Sequence, residues 1–181
     1  MKKEEARKIV RQNLASFLKK DEASKIICQK IKDMDLQFKS IFLYKALFSE
    51  VNVDELIDLY KDNHIVYLPK VKGDDMVLIK VDCDTKYEIG PFNILEPIGD
   101  EISPSEAQID VCITPLLGFD ENLNRIGKGK GYYDKFFSKC KCKKIGVAFE
   151  TQKIDNVEMD THDVPLDLII TEDRIYANNC R

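Results

Sequence analysis

The amino-acid sequence predicts an α/β fold, a single-domain three-layer α/β/α sandwich around a mostly parallel sheet over residues 1–181. Three observations lead there. Short apolar runs recur along the chain, and their hydrophobicity is continuous rather than alternating, as expected of strands covered on both faces. Segments of helical period separate several of them, which gives strand–helix alternation with right-handed crossovers. A chain of 181 residues has the length of one domain and can bury about 70% of its unfolded surface, so it needs no metal or disulfide staple.

Taken in order, Ala6, Ile9, Val10, Leu14, Phe17 and Leu18 recur at helical spacing and predict an amphipathic helix over 3–19. A second helix is expected over 22–33, with Ile26, Ile27 and Ile31 on its apolar side. The strand candidates are "SIFLY" (40–44), "IVYLP" (65–69), "MVLIKV" (76–81), "DVCITP" (110–115), "KIGVAF" (144–149) and "DLIIT" (167–171). Between the first two, "VDELIDLYKDN" (53–63) reads as a helix. Tyr133, Phe136, Phe137 and Cys140 mark another over 132–140, after a long loop at 116–131. Segment 83–108, which carries Pro91, Pro97 and Pro104, is expected to be irregular.

Hydrophobic residues make up 44% and charged residues 33%, and the formal net charge is −4. That balance argues against general affinity for nucleic acid or an anionic membrane, so any basic site must be local. Cys28, Cys83, Cys112, Cys140, Cys142 and Cys180 form no Cys-x-x-Cys pair, and His64 and His162 are the only histidines. A structural zinc site is therefore not expected, and the thiols read as free, Cys112 as a small hydrophobe. The opening "MKKEEARKIVRQNLASFLKK" contains no apolar core segment. It is neither a signal peptide nor a membrane span, and the expected location is cytoplasmic.

Residues 127–134 read "GKGKGYYD" and lie between a strand candidate and a helix candidate. In open α/β sheets, ligands settle beyond the carboxyl ends of strands. Three glycines let backbone N–H groups approach an anion closely. A helix starting near Tyr132 adds unpaired N–H groups and the positive end of its dipole. Arg125, Lys128 and Lys130 supply the charge a polyphosphate needs neutralised. Asp134 suits a magnesium ion bridging phosphate oxygens, or simply stabilises the helix dipole. Neither the P-loop nor the dinucleotide glycine pattern is present. The residues alone leave phosphate binding, a mobile surface loop and an RNA contact open.

The longer stretch "PLLGFDENLNRIGKGKGYYDKFF" (115–137) resembles the signature of the 5-formyltetrahydrofolate cyclo-ligase, or methenyltetrahydrofolate synthetase, family. Other parts agree in order: Lys3 and Arg7, "FLYKALFSEVNVDELI", "VYLPKV", "ILEP" and "HDVPLDLIITED". Leu116 stands where a glycine is usual, Lys130 replaces the glycine of many members, and the stretch before Glu50 is slightly longer than the common form. The resemblance implies cyclisation of 5-formyltetrahydrofolate to 5,10-methenyltetrahydrofolate with ATP and Mg2+, releasing ADP and phosphate. It assigns ATP to Lys3, Arg7, Arg125, Ile126, Gly127, Lys128, Gly129, Lys130, Gly131, Tyr132 and Tyr133. Folate falls to Leu43, Glu50, Lys128, Gly129, Lys130, Gly131 and Tyr132, and the metal to Asp134 and Asp163. Arg125, Lys128 and Tyr132 are the expected catalytic groups, with Tyr132 facing the substrate and Tyr133 the core. The expected assembly is a monomer whose substrate is a small molecule, 5-formyltetrahydrofolate with or without a polyglutamate tail. A non-catalytic folate or nucleotide binder on the same scaffold is the alternative.

Overall fold

The run around Ser40 folds as β1 (Ser40–Phe42), and its side chains alternate between two separate cores. Ile41 joins the larger core on one face of the sheet and Phe42 the smaller core on the other. This is the period-two alternation of a strand covered on both sides. In the computed structural model, which describes residues 1–178, the other strands are β2 (Ile65–Lys72), β3 (Asp75–Val81), β4 (Lys86–Ile89), β5 (Leu95–Ile98) and β6 (Glu101–Ile102). They continue with β7 (Val111–Pro115), β8 (Gly118–Phe119), β9 (Arg125–Ile126), β10 (Lys143–Val147), β11 (Leu168–Ile170) and β12 (Ile175–Ala177). Eight of them form one sheet in the order β12-β11-β10-β7-β1-β2-β3-β6. The five from β11 to β2 run parallel, while β12, β3 and β6 add antiparallel edges.

The helices are α1 (Lys3–Ser16), α2 (Lys20–Asp33), α3 (Asp54–Tyr60) and α4 (Tyr132–Lys139). The first three cover the larger core through Val10 and Leu14, Ile27 and Ile31, and Leu56 and Ile57. α4 covers the opposite face through Phe136 and Phe137. The division has a topological cause. The chain crosses from β1 to β2 through α3, and in the opposite direction from β7 to β10 through α4. Crossovers of one hand that travel in opposite directions must lie on opposite faces. The sandwich with a mostly parallel sheet is thus the fold the sequence predicts. The reversal falls between β1 and β7, which opens a crevice at their carboxyl ends.

Some elements differ from expectation. The first helix stops at Ser16, because Lys20 Nζ donates to the carbonyls of Leu14 (3.0 Å) and Phe17 (2.5 Å) and ends it. Leu18 is consequently 91% exposed, and α2 begins at Lys20. Ile26 turns outward, and Cys28 takes its place in the core. Segment 83–108 is not irregular: β4 and β5 pair as a ribbon, and β6 joins the main sheet. The loop at 116–131 contains a second ribbon, β8–β9. Cys28, Cys112 and Cys140 are buried free thiols, Cys142 is half-buried and Cys83 exposed; Cys180 lies outside the described residues. Among the described residues, no helix is long and apolar enough to cross a membrane.

Candidate active site

A cavity of about 610 Å³ opens where the strand order reverses. Tyr44 and Lys45, just past β1, and Leu116 and Leu117, just past β7, form its floor. The β8–β9 ribbon delivers the basic loop to this floor. Its turn is fixed by buried Asp120, which accepts from Asn122 N (3.0 Å), Asn124 N (3.1 Å), Asn124 Nδ2 (3.0 Å) and Val157 N (3.2 Å). A carboxylate so fully paired costs little to bury. Ile126 O then accepts from Leu117 N (2.8 Å), and Arg125 emerges beneath the glycine loop.

Arg125 has a side chain only 4% exposed, with Nη2 donating to Asp134 Oδ1 (2.8 Å) and the guanidinium 5.5 Å from the Tyr133 ring centre. Its Nε is buried with no partner among the described residues. Gly127, Lys128, Gly129, Lys130 and Gly131 then border the cavity and lead into α4. Gly129 (φ +103°) and Gly131 (φ +69°) occupy left-handed backbone that side chains resist. No side chain caps α4, so its first N–H groups are left for a ligand. From the other side α1 brings Lys3 and Arg7, one helical turn apart. Arg7 Nε donates to Gly127 O (3.0 Å), and Lys3 Nζ binds Asp160 (2.7 Å) and Asp163. Burial works against the Lys3 charge, but its hydrogen bonds to Asp160 and Asp163 outweigh that and raise the lysine above its ordinary value.

The other half of the cavity is largely apolar, walled by Leu68, Pro69, Val71 and Met76 and by the β4–β5 ribbon. Glu50 stands between the halves. Its Oε1 pairs with Lys128 Nζ (2.6 Å), and its Oε2 accepts from Leu47 N (2.9 Å). Tyr132 donates its hydroxyl to Gly73 O (3.2 Å) and borders the cavity. Tyr133 does both jobs: it packs against Phe42 and Phe137, and it also reaches the cavity. Burial raises its phenol well above the ordinary value.

Every expected site residue except Leu43 lines this cavity. Leu43 is fully buried in the larger core and does not reach the cavity, so its expected contact with folate is not seen. Tyr44, Asp160 and Glu96 line the cavity and were not expected. Tyr44 packs in the larger core beside Leu43 and also reaches the cavity, a placement that strand alternation does not predict. Asp160 and Glu96 carry no spacing signal. Asp134 and Asp163 both reach the wall, each already paired with a cation. Among the described residues no three His, Cys, Asp or Glu side chains gather to hold a metal by themselves. Two wall carboxylates are a donor set that fits magnesium.

Comparison with known proteins identifies the relatives of this chain. The model of the 5-formyltetrahydrofolate cyclo-ligase family matches residues 1–172. A probable 5-formyltetrahydrofolate cyclo-ligase of Schizosaccharomyces pombe is 30% identical, with 98% of each chain covered. The 5-formyltetrahydrofolate cyclo-ligase of Mycoplasma pneumoniae is 37% identical over 140 residues, 75% of this chain and 74% of that one. The solved structure of 5,10-methenyltetrahydrofolate synthetase from Aquifex aeolicus superposes with a TM-score of 0.85 at 27% identity, covering 99% of this chain and 94% of the other. A match along nearly the whole length, in sequence and in fold, places this chain in the 5-formyltetrahydrofolate cyclo-ligase family, and so among the ligases.

Proposed function

We propose that the chain converts 5-formyltetrahydrofolate to 5,10-methenyltetrahydrofolate, consuming ATP in the presence of Mg2+ and releasing ADP and phosphate. The observation that carries this is the division of one cavity. Lys3, Arg7, Arg125, Lys128 and the N-terminus of α4 converge on one half, and the other half is apolar with a carboxylate at its border. Cations and free N–H groups match a triphosphate, and apolar walls match a flat heterocycle.

The chemical difficulty is that an N-formyl group is an amide, whose oxygen leaves poorly. In this scheme the formyl oxygen takes the γ-phosphoryl group, and ADP departs. N10 of the same folate attacks the formyl carbon and loses its proton, and phosphate leaves with the former formyl oxygen. Because N10 is tethered near the carbon, ring closure benefits from high effective molarity. The protein therefore mainly positions groups and balances charge. Lys3, Arg7 and the loop 125–131 would hold the phosphates, with Lys128 and Arg125 nearest the transferring group. Glu50 would accept N–H donors of the folate once Lys128 turns to the nucleotide, and Tyr132 would lie against the ring. Asp134 and Asp163 would hold Mg2+, which when bound draws negative charge from the phosphate oxygens.

The test is direct. Protein mixed with MgATP and 5-formyltetrahydrofolate should generate the ultraviolet absorbance of the methenyl product, and leaving out either ATP or Mg2+ should abolish it. Absence of product from the complete mixture, or product without nucleotide, would overturn the proposal.

A further inference from the structure

Glu96 is the buried acid that the scheme above leaves unused. It sits on β5, is 6% exposed and lines the apolar half of the cavity. Its position is fixed from two sides. Oε1 accepts from Val71 N (3.1 Å), an N–H of β2 that no strand pairs on that side. The carboxyl also fills the space where Gly90 lacks a side chain: a Cβ there would lie 2.3 Å from Glu96 Cδ. Its cross-strand neighbour Glu88 has a cation of its own, Lys70 at 2.9 Å. Glu96 has none within ion-pair distance among the described residues, and Oε2 accepts no hydrogen bond there.

A buried carboxylate without a counter-charge is costly, and capping one N–H does not require a charge, since an amide oxygen would serve. What does suit a carboxylate is a ligand that brings N–H donors of its own. The contrast with Glu50 sharpens the point. Both oxygens of Glu50 are engaged, by Lys128 and by Leu47 N, whereas Oε2 of Glu96 is ready to accept without rearrangement.

We propose that Glu96 is a second carboxylate that reads the substrate, accepting an N–H of the reduced pterin at the apolar end of the cavity, and so sets affinity for the folate but not for the nucleotide. The assignment rests on the folate reading above. It deepens that reading by naming where the ring is recognised.

The experiment is calorimetric titration of the full chain with 5-formyltetrahydrofolate and, separately, with MgATP. Glu96→Gln keeps the side-chain volume and an acceptor for Val71 N, but replaces one oxygen with a competing donor. Folate Kd should rise at least about tenfold, as expected for a lost hydrogen bond to a charged group. Kd for MgATP should stay within about twofold and Tm should hardly move. Glu96→Asp, which withdraws the carboxylate by one methylene, should give the same split and serves if the glutamine variant does not fold. Folate Kd unchanged in the variants, or both ligands weakened alike, would overturn the role of Glu96 while leaving the cyclo-ligase reading intact. If the unaltered protein binds no folate, both fall together.

Discussion

Arg125 and Lys128 are three residues apart, and both are cations on the cavity wall, but their surroundings predict different consequences of losing them. Arg125 is almost wholly buried, holds Asp134 at 2.8 Å and packs against the Tyr133 ring. Arg125→Met should strand a partly buried carboxylate and lower stability by about 3 kcal/mol, the lower end for breaking a buried pair. Urea unfolding would show it, alongside a loss of turnover. Lys128 is 38% exposed, and its partner Glu50 keeps a second hydrogen bond from Leu47 N. Its pair contributes at most about 1 kcal/mol to folding. Lys128→Ala should therefore leave the melting temperature nearly unchanged while kcat/KM falls about a hundredfold, some 3 kcal/mol of charge stabilisation in the transition state. Wild-type kinetics in that variant would remove Lys128 from the chemistry. Both cations were legible in the sequence because they flank alternate glycines. Asp160 was not, since a lone acid in a turn looks the same whether it faces a ligand or water, and Glu96 stood within the resembling "ILEP" stretch with nothing there to give it a role.

At the scale of elements, the glycine loop and α4 act as one unit. Gly131 starts the helix with φ +69°, and a Cβ placed there meets nothing within 4 Å. The cost of a side chain is then purely conformational. Gly131→Ala should destabilise by about 1–2 kcal/mol, and Gly131→Asn by less, because asparagine visits left-handed backbone more readily. Paired urea titrations decide it; equal losses would mean that the loop relaxes out of its left-handed turn. The sequence revealed this unit and the six apolar strands, whose hydrophobicity runs unbroken for several residues. It hid β8 and β9, since pairs of two residues have no period to detect. The β4–β5 ribbon was hidden for another reason. Ile89, Leu95 and Ile98 are exposed and lie on both faces of the ribbon, so polar-out alternation is missing and the prolines dominate the pattern.

For the whole molecule, composition and alternation indicate a parallel sheet with two covered faces, but strand order is decided by pairings between distant segments, such as β1 with β7, that no local pattern encodes. The same holds for the clasp that ties the start of the chain to its far end. Met1 O accepts from Glu158 N (3.0 Å), and the terminal ammonium donates to Asn156 O (3.1 Å). Lys3 then grips Asp160 and Asp163. The hydrogen bond from Lys3 holds Asp160 below its ordinary value of 3.8, and the two acids hold Lys3 above its ordinary 10.5. A depressed carboxyl contributes stability that is present above its unfolded pKa and is lost as pH falls through the folded one. A raised lysine contributes stability that is present below its unfolded pKa and is lost as pH rises through the folded one. The clasp should thus act at constant strength from roughly pH 5 to 9. Comparing melting temperatures of the unaltered protein and Lys3→Met across that range should show a constant gap, which narrows only below about pH 4 as Asp160 protonates. A gap that changed between about pH 6 and 8 would mean that the pairing of Lys3 with its acids is not what the substitution removes.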